Sequence, residues 1–448
     1  MVRMSTSPPG PQDLPLLGNT HRYSRDPFSF IETLTRSYNG LSTFTLGTEQ
    51  TYLVTDPKEI ERILVSEDSK FRKSQTIRSG SIDDLLGDGL LMSGGDFWQR
   101  QNQRAQPAFA PARVMNFGKE ISGYAERMMS GWNDGDVIEI DSSMAQITVK
   151  VIVSVMFGTE LDDRTTEKVQ NTLEPLGEMF EPKPAQFLLP EWVPTPDRIE
   201  FDNAVDSLED ILDSLVDERK GTEDGEMDLL SILLRAQSDV DEVTEELVRD
   251  ELMTMLLAGH DSTALSLTYT WYLLSQNPET ERRVHDEIDE VLGDESPTAS
   301  DVRDLDLTER VIQEAMRLYP PVYTIFREPA EPIRIGGYRI PKGALVMLPQ
   351  WGVHRDPRWY DDPESFDPDR WTSDRASGRP NYSYFPFGGG PRHCIGKHLS
   401  MLEAQIIVAT VAQNYRLRLA PEQRSTLELA PSLTMHPSDP IQMEVKKR

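Results

Sequence analysis

A single cysteine, Cys394, stands in 448 residues, and its surroundings decide what chemistry it can do. It lies in Phe387-Gly388-Gly389-Gly390-Pro391-Arg392-His393-Cys394-Ile395-Gly396, a glycine-rich loop running into an apolar stretch. One cysteine cannot close an intramolecular disulfide, so the sulfur is either inert core filling or a reactive thiolate. Glycines on both sides remove the Cβ atoms that would obstruct a large flat ligand. From Ile395 to Ala409 apolar residues recur at helical spacing. Cys394 is therefore expected at a helix N-terminus, where unpaired amides and the helix dipole lower a thiol's pKa.

The loop resembles the haem-binding signature F-x-x-G-x-R-x-C-x-G of the cytochrome P450 family. That resemblance implies haem b (iron protoporphyrin IX) as cofactor, with the Cys394 thiolate as proximal iron ligand. Phe387 and Gly396 would flank the ligand, and Arg392 would pair with a haem propionate.

The elements that must position such a site are also legible. From Thr244 to Gln276 the pattern predicts one unusually long helix, N-capped by Thr244 and ended by Asn277-Pro278. Its apolar residues cover several faces, which marks a buried helix. Inside it, Ala258-Gly259-His260-Asp261-Ser262-Thr263 contains poor helix formers, expected to open the hydrogen-bond ladder and kink the helix beside the haem. The segment is similar to the family's A-G-x-[DE]-T-T pattern, with Ser262 where that pattern has threonine. The implied chemistry needs protons carried to dioxygen. Asp261 would relay them, Ser262 would donate, and Thr263 would partly substitute for the missing threonine, with Ala258 against the haem. Pairing of Asp261 with a nearby cation is the alternative.

Three further segments extend the resemblance. Thr308 to Leu318 reads as a short helix ended by Pro320-Pro321, with Glu314 and Arg317 at i, i+3. It matches the family's E-x-x-R, and Arg370 in Phe366-Asp367-Pro368-Asp369-Arg370-Trp371 would complete a buried Glu-Arg-Arg network. Arg327 occupies the family's position for a propionate contact. Trp98 and Asn102 stand where a tryptophan and a basic residue one turn later bind propionates, so an amide replaces a charge at 102.

The fold class implied is mainly α with small antiparallel β-sheets, the cytochrome P450 fold, holding haem between the long distal helix and the cysteine loop. Alternation around 42–46, 52–54, 334–338 and 344–348 supplies the strands, with a Gly-Gly hairpin. Residues 1–20 read as a proline-rich N-terminal segment and 21–448 as one haem-thiolate domain.

Composition narrows the partners. With 46 Lys+Arg against 75 Asp+Glu and a net charge of -29, nucleic acid and anionic membranes are excluded, and the chain resembles salt-adapted proteins. Residues 1–10 are too polar for a leader or a span of roughly twenty apolar residues, so a cytoplasmic location without a membrane span is expected. One cysteine cannot hold an iron–sulfur cluster that needs four; a monooxygenase built on this chain takes two electrons from a separate ferredoxin or flavoprotein. The substrate is expected to be small and apolar, in a pocket bounded by 74–95, 179–192, 256–258, 323–325 and 433–434. Two other functions stay open: a peroxide-using or isomerising haem-thiolate enzyme, and a haem sensor or electron carrier.

Overall fold

The computed structural model describes residues 7–15, 17–74, 81–181, 195–219, 228–239, 243–423 and 425–448. Its axis is the helix Glu245–Gln276, 32 residues long, or about 48 Å at the usual rise. The Thr244 hydroxyl accepts the Leu247 N–H at 3.1 Å, an N-cap that satisfies one orphan donor. At the other end Asn277 leaves the helix and Pro278 starts the next, Pro278–Leu292.

The helices Ile140–Phe157, Asp306–Leu318 and Lys397–Asn414 pack against this axis. A Cβ on Gly259 would lie 2.6 Å from Ile152 Cδ1, so glycine there lets the Ile140–Phe157 helix come close. That helix is long and apolar enough to cross a membrane, and 67% of it is buried inside the protein; it is a core element.

The interruption expected at 258–263 does not break the axis, which stays helical throughout. The reason is visible in the hydroxyls. Ser262 Oγ donates to the Ala258 carbonyl at 2.9 Å and Ser266 Oγ to the Ser262 carbonyl at 2.8 Å, so these side chains bond along the ladder instead of opening it.

Five strands form a sheet in the order Leu41–Leu46, Glu49–Val54, Leu345–Leu348, Ile325–Pro329, Phe71–Arg72. One pairing in it, Glu49–Val54 with Leu345–Leu348, is parallel. Ile333–Ile335 and Tyr338–Ile340 make the hairpin expected from Gly336-Gly337, whose φ values of 55° and 85° are those a primed turn demands. The described part of the proline-rich segment lies along the first strand: Thr43 N–H donates to the Pro9 carbonyl at 2.9 Å and Asn19 N–H to that of Thr45 at 2.7 Å.

The carboxylate of Glu314 is the hub that ties helix to loop. It accepts Arg317 Nε at 2.9 Å and Nη2 at 2.8 Å, Arg370 Nε at 3.2 Å, Trp371 Nε1 at 3.0 Å and the Asp367 N–H at 3.0 Å. Both Glu314 and Arg317 are fully buried. The remaining guanidinium donors of Arg317 reach the carbonyls of His354, Pro363 and Ser365. No charge is left without a partner in this cluster, which is what makes its burial tolerable.

Candidate active site

The Glu314 cluster holds the chain from 354 to 371, and that chain holds the cysteine loop. His354 Nε2 accepts the Phe385 N–H at 3.0 Å, and Gln350 Nε2 donates to the Phe385 carbonyl at 2.9 Å. Two residues on, the Phe387 carbonyl accepts the Cys394 N–H at 2.9 Å, closing the loop on itself. Cys394 is solvent-accessible, although protein surrounds its sulfur closely enough for burial to govern its acidity.

The glycines divide their duties differently from the sequence expectation. A Cβ on Gly390 would sit 1.8 Å from the Leu64 carbonyl oxygen and one on Gly389 2.4 Å from the Tyr382 ring, while Gly388 and Gly390 have φ of 68° and 67°. These residues are glycine because neighbouring protein approaches and the backbone turns left-handed. Gly396 is the one beside the sulfur, its Cβ position 3.9 Å from Cys394 Sγ. The electrostatics also correct the expectation. Burial pushes the Cys394 thiol up, and the N–H groups of Gly396 and Lys397 and the Lys397 charge only partly offset it. The helix Lys397–Asn414 begins three residues after the cysteine, and the amides at its start reach the thiol without outweighing burial.

Around the loop the structure gathers cations. Arg392 lies over the Trp98 ring, 4.5 Å from its centroid, and donates to the Ser93 carbonyl at 3.0 Å. Arg327 is buried; its Nη1 donates to its neighbour Phe326's carbonyl and its Nε has no hydrogen-bond partner. Burial and the nearby charge of Arg392 pull its guanidinium down to about 10. Lys73, which sequence reasoning missed, is held well below its usual range by burial and by both arginines. Asp68 is the carboxylate facing Arg327 and Arg392. Crowded cations of this kind need an anion. The two carboxylates of haem fit that need, and Trp98 with Asn102 one turn later sit on the neighbouring helix Gly95–Ala105.

On the long helix, residues 251–256 are buried, Ala258 is exposed, and Leu257, Gly259, Asp261 and Ser262 around it are half-buried. Asp261 Oδ2 accepts hydrogen bonds from the Thr434 hydroxyl and from His436 Nε2 at 3.2 Å. Burial would raise this carboxyl, but the His436 charge and hydrogen bond outweigh it and hold Asp261 below the ordinary carboxylate range. Thr263 turns the other way: it is buried and donates to Ser400 Oγ at 3.0 Å. It ties the long helix to the helix after the cysteine loop, and its expected part in proton supply gives way to that tie. Of the expected substrate wall, 75–80 and 182–192 lie outside the described residues. Tyr323 turns into the aromatic core against Phe28, whereas Leu91 and Leu433 stay 44% and 41% exposed.

The comparisons agree with this geometry. The family model for cytochrome P450 matches residues 8–445. Cyclooctatin synthase of Streptomyces melanosporofaciens is 33% identical, the match covering 95% of this chain and 93% of that protein. Cyclooctat-9-en-7-ol 5-monooxygenase of the same organism is 32% identical over 93% of this chain and 90% of its own. The crystal structure of the cytochrome P450DA haem domain superposes with a TM-score of 0.85 at 26% identity, covering 98% of both chains. With the family model spanning nearly the whole chain and relatives named as monooxygenases, the chain belongs to the cytochrome P450 family and is a haem-binding monooxygenase.

Proposed function

We propose that this monooxygenase inserts one atom of dioxygen into a small apolar carbocyclic substrate, using two electrons from a separate ferredoxin or flavoprotein. The observation that carries the site assignment is the crowding of Lys73, Arg327 and Arg392 beside the cysteine loop, with Asp68 as the facing carboxylate. Cys394 is the metal ligand, Gly396 leaves its sulfur uncovered, and Phe387 flanks it. Arg392, Arg327 and Lys73 would neutralise the two propionates, and Trp98 and Asn102 would add neutral donors. Ala258, having only a methyl group, would leave room for the cofactor. When bound, haem supplies the activation of dioxygen.

The residues of the long helix handle protons. Asp261 accepts them at its carboxylate, and Ser262 passes them on through a hydroxyl that now donates to the Ala258 carbonyl. A turn about its first side-chain torsion frees it, and serine lacks the methyl that would restrict that turn. The substrate class is supported by Leu91 and Leu433, apolar yet uncovered, and by the relative whose name specifies a hydroxylated cyclic alkene.

Two measurements test the reading. Reduced wild-type protein with carbon monoxide should show the thiolate-ligated spectrum, and Cys394→Ser should lose it; persistence of that spectrum in Cys394→Ser overturns the ligand assignment. A spin-state binding screen should respond to polycyclic alkenes and their mono-alcohols, followed by product carrying one atom from labelled dioxygen when NADH, ferredoxin and a reductase are supplied. Product from peroxide alone, and none from that electron chain, would favour the peroxide-using alternative.

A further inference from the structure

The strand pair Leu429–Pro431 and Met435–Pro437 lies against the long helix at the level of Asp261. In a strand, residues two apart face the same side. Thr434, just before the strand, and His436 within it both reach Asp261, while Met435 between them is fully buried. The hairpin is fastened by its backbone: Met435 N–H donates to the Pro321 carbonyl at 2.8 Å, and the Met435 carbonyl accepts the Tyr269 hydroxyl at 2.6 Å. Tyr269 is eight residues after Asp261, on the same face of the same helix. The register between histidine and carboxylate is thereby set by contacts outside the pair.

His436 Nε2 is 3.2 Å from Asp261 Oδ2 and 3.1 Å from Thr434 Oγ1. The imidazole side chain is 40% exposed and the carboxylate side chain 22%, so the histidine holds the solvent side of the pair. We propose that His436 is the residue through which solvent protons reach Asp261, with the Thr434 hydroxyl positioning the carboxylate oxygen that receives them. This rests on the reading of Asp261 as the relay carboxylate.

The chemistry requires such a neighbour. A carboxylate held ionised does not store a proton near neutrality, whereas imidazole is the side chain that ordinarily titrates there. Water protonates the ring nitrogen at its exposed edge as the Nε2 proton passes to Asp261 Oδ2 and on by way of Ser262, and a half-turn of the neutral ring then returns an N–H to face Asp261. Other groups bear on His436 as well. Asp141, at the start of the Ile140–Phe157 helix and backed by Glu139, attracts the imidazolium, and buried His260, itself lowered by burial, opposes it when charged. His436 acts only through Asp261, so its test must separate relay from support.

The test uses haem-loaded full-length protein carrying His436→Gln, which keeps a hydrogen-bond donor, or His436→Lys, which keeps a charge without titrating near neutrality. Both should bind haem as wild type does. His436→Gln should lower coupled turnover about tenfold, release more peroxide per electron pair, and flatten the pH dependence of turnover between about 6 and 8. His436→Lys should flatten it too. Independently of activity, the His436 ring resonance of the reduced carbon monoxide form, assigned by its loss in His436→Gln, should titrate about one pH unit lower in Asp261→Asn. A wild-type pH profile in His436→Gln, or a titration unmoved by Asp261→Asn, overturns the proposal. If Asp261→Asn slows turnover and His436→Gln does not, the inference about His436 alone fails; if Asp261→Asn turns over normally, the relay reading beneath it fails.

Discussion

Lys73 is a side chain whose charge state is set by the groups folded around it. Burial disfavours its charge, and Arg327 and Arg392 add repulsion. A base whose folded pKa is depressed opposes folding while it is charged, and that penalty fades as pH rises. Lys73→Met should therefore raise the melting temperature of the haem-free protein by several degrees, most at lower pH, and weaken haem retention about tenfold. Parallel melts of haem-free and haem-loaded protein check both signs; a variant that weakens both forms would remove the assigned role. Nothing in the sequence marks Lys73, because a lysine beside an arginine is an ordinary surface pattern. Arg392 was legible, being two residues from Cys394 in a specific motif.

At the scale of elements, the long helix grips the loop before the helix Gly95–Ala105. Asp250 Oδ2 accepts the Asp88 N–H at 2.8 Å, Glu251 Oε2 accepts the Leu90 N–H at 3.0 Å, and Gln101 Nε2 reaches the Asp88 carbonyl at 2.8 Å. Burial pushes the Glu251 carboxyl up from 4.5 to about 7, helped by Asp250 and opposed by the Leu90 N–H and Arg104. Between those two values the folded chain holds a proton that the unfolded chain has released. This group's stabilising contribution is thus complete below 4.5, falls as pH rises, and is gone above about 7. Glu251→Gln keeps an acceptor for Leu90 and removes the slope. It should melt a few degrees above wild type at pH 8 and level with it at pH 4.5; equal melting at both would sink the assignment.

The elements themselves were largely readable. Thr244 and Asn277-Pro278 bound the long helix as capping and proline chemistry require, and Gly336-Gly337 selected a hairpin. The glycines of the cysteine loop were legible as a motif but not in purpose. Gly390 answers to the Leu64 carbonyl, and no local pattern announces which distant backbone will arrive there. The helix stays continuous at 258–263 for a related reason: serine and threonine in a helix can bond outward or back along the ladder, and surrounding packing chooses.

For the molecule as a whole, a net charge of -29 sets the response to salt. Self-repulsion is screened as the Debye length shrinks from about 10 Å at 0.1 M to about 3 Å at 1 M. The melting temperature should rise by several degrees between dilute buffer and molar potassium chloride; a flat or falling trend would show that the acidic excess does not limit stability.

Sequence alone determined the family, the haem, the lone sulfur and the long helix, because these rest on residue type and short-range spacing, which the chain carries whether folded or not. Tertiary structure decided which charges meet. Asp261 and His436 are 175 residues apart, and Lys73 meets Arg327 and Arg392 only once a strand, a sheet and a loop converge. It also decided the sign at Cys394, where burial outweighs the nearby amides. Desolvation and Coulomb interaction depend on distance and enclosure, and neither exists in a sequence until the chain has folded.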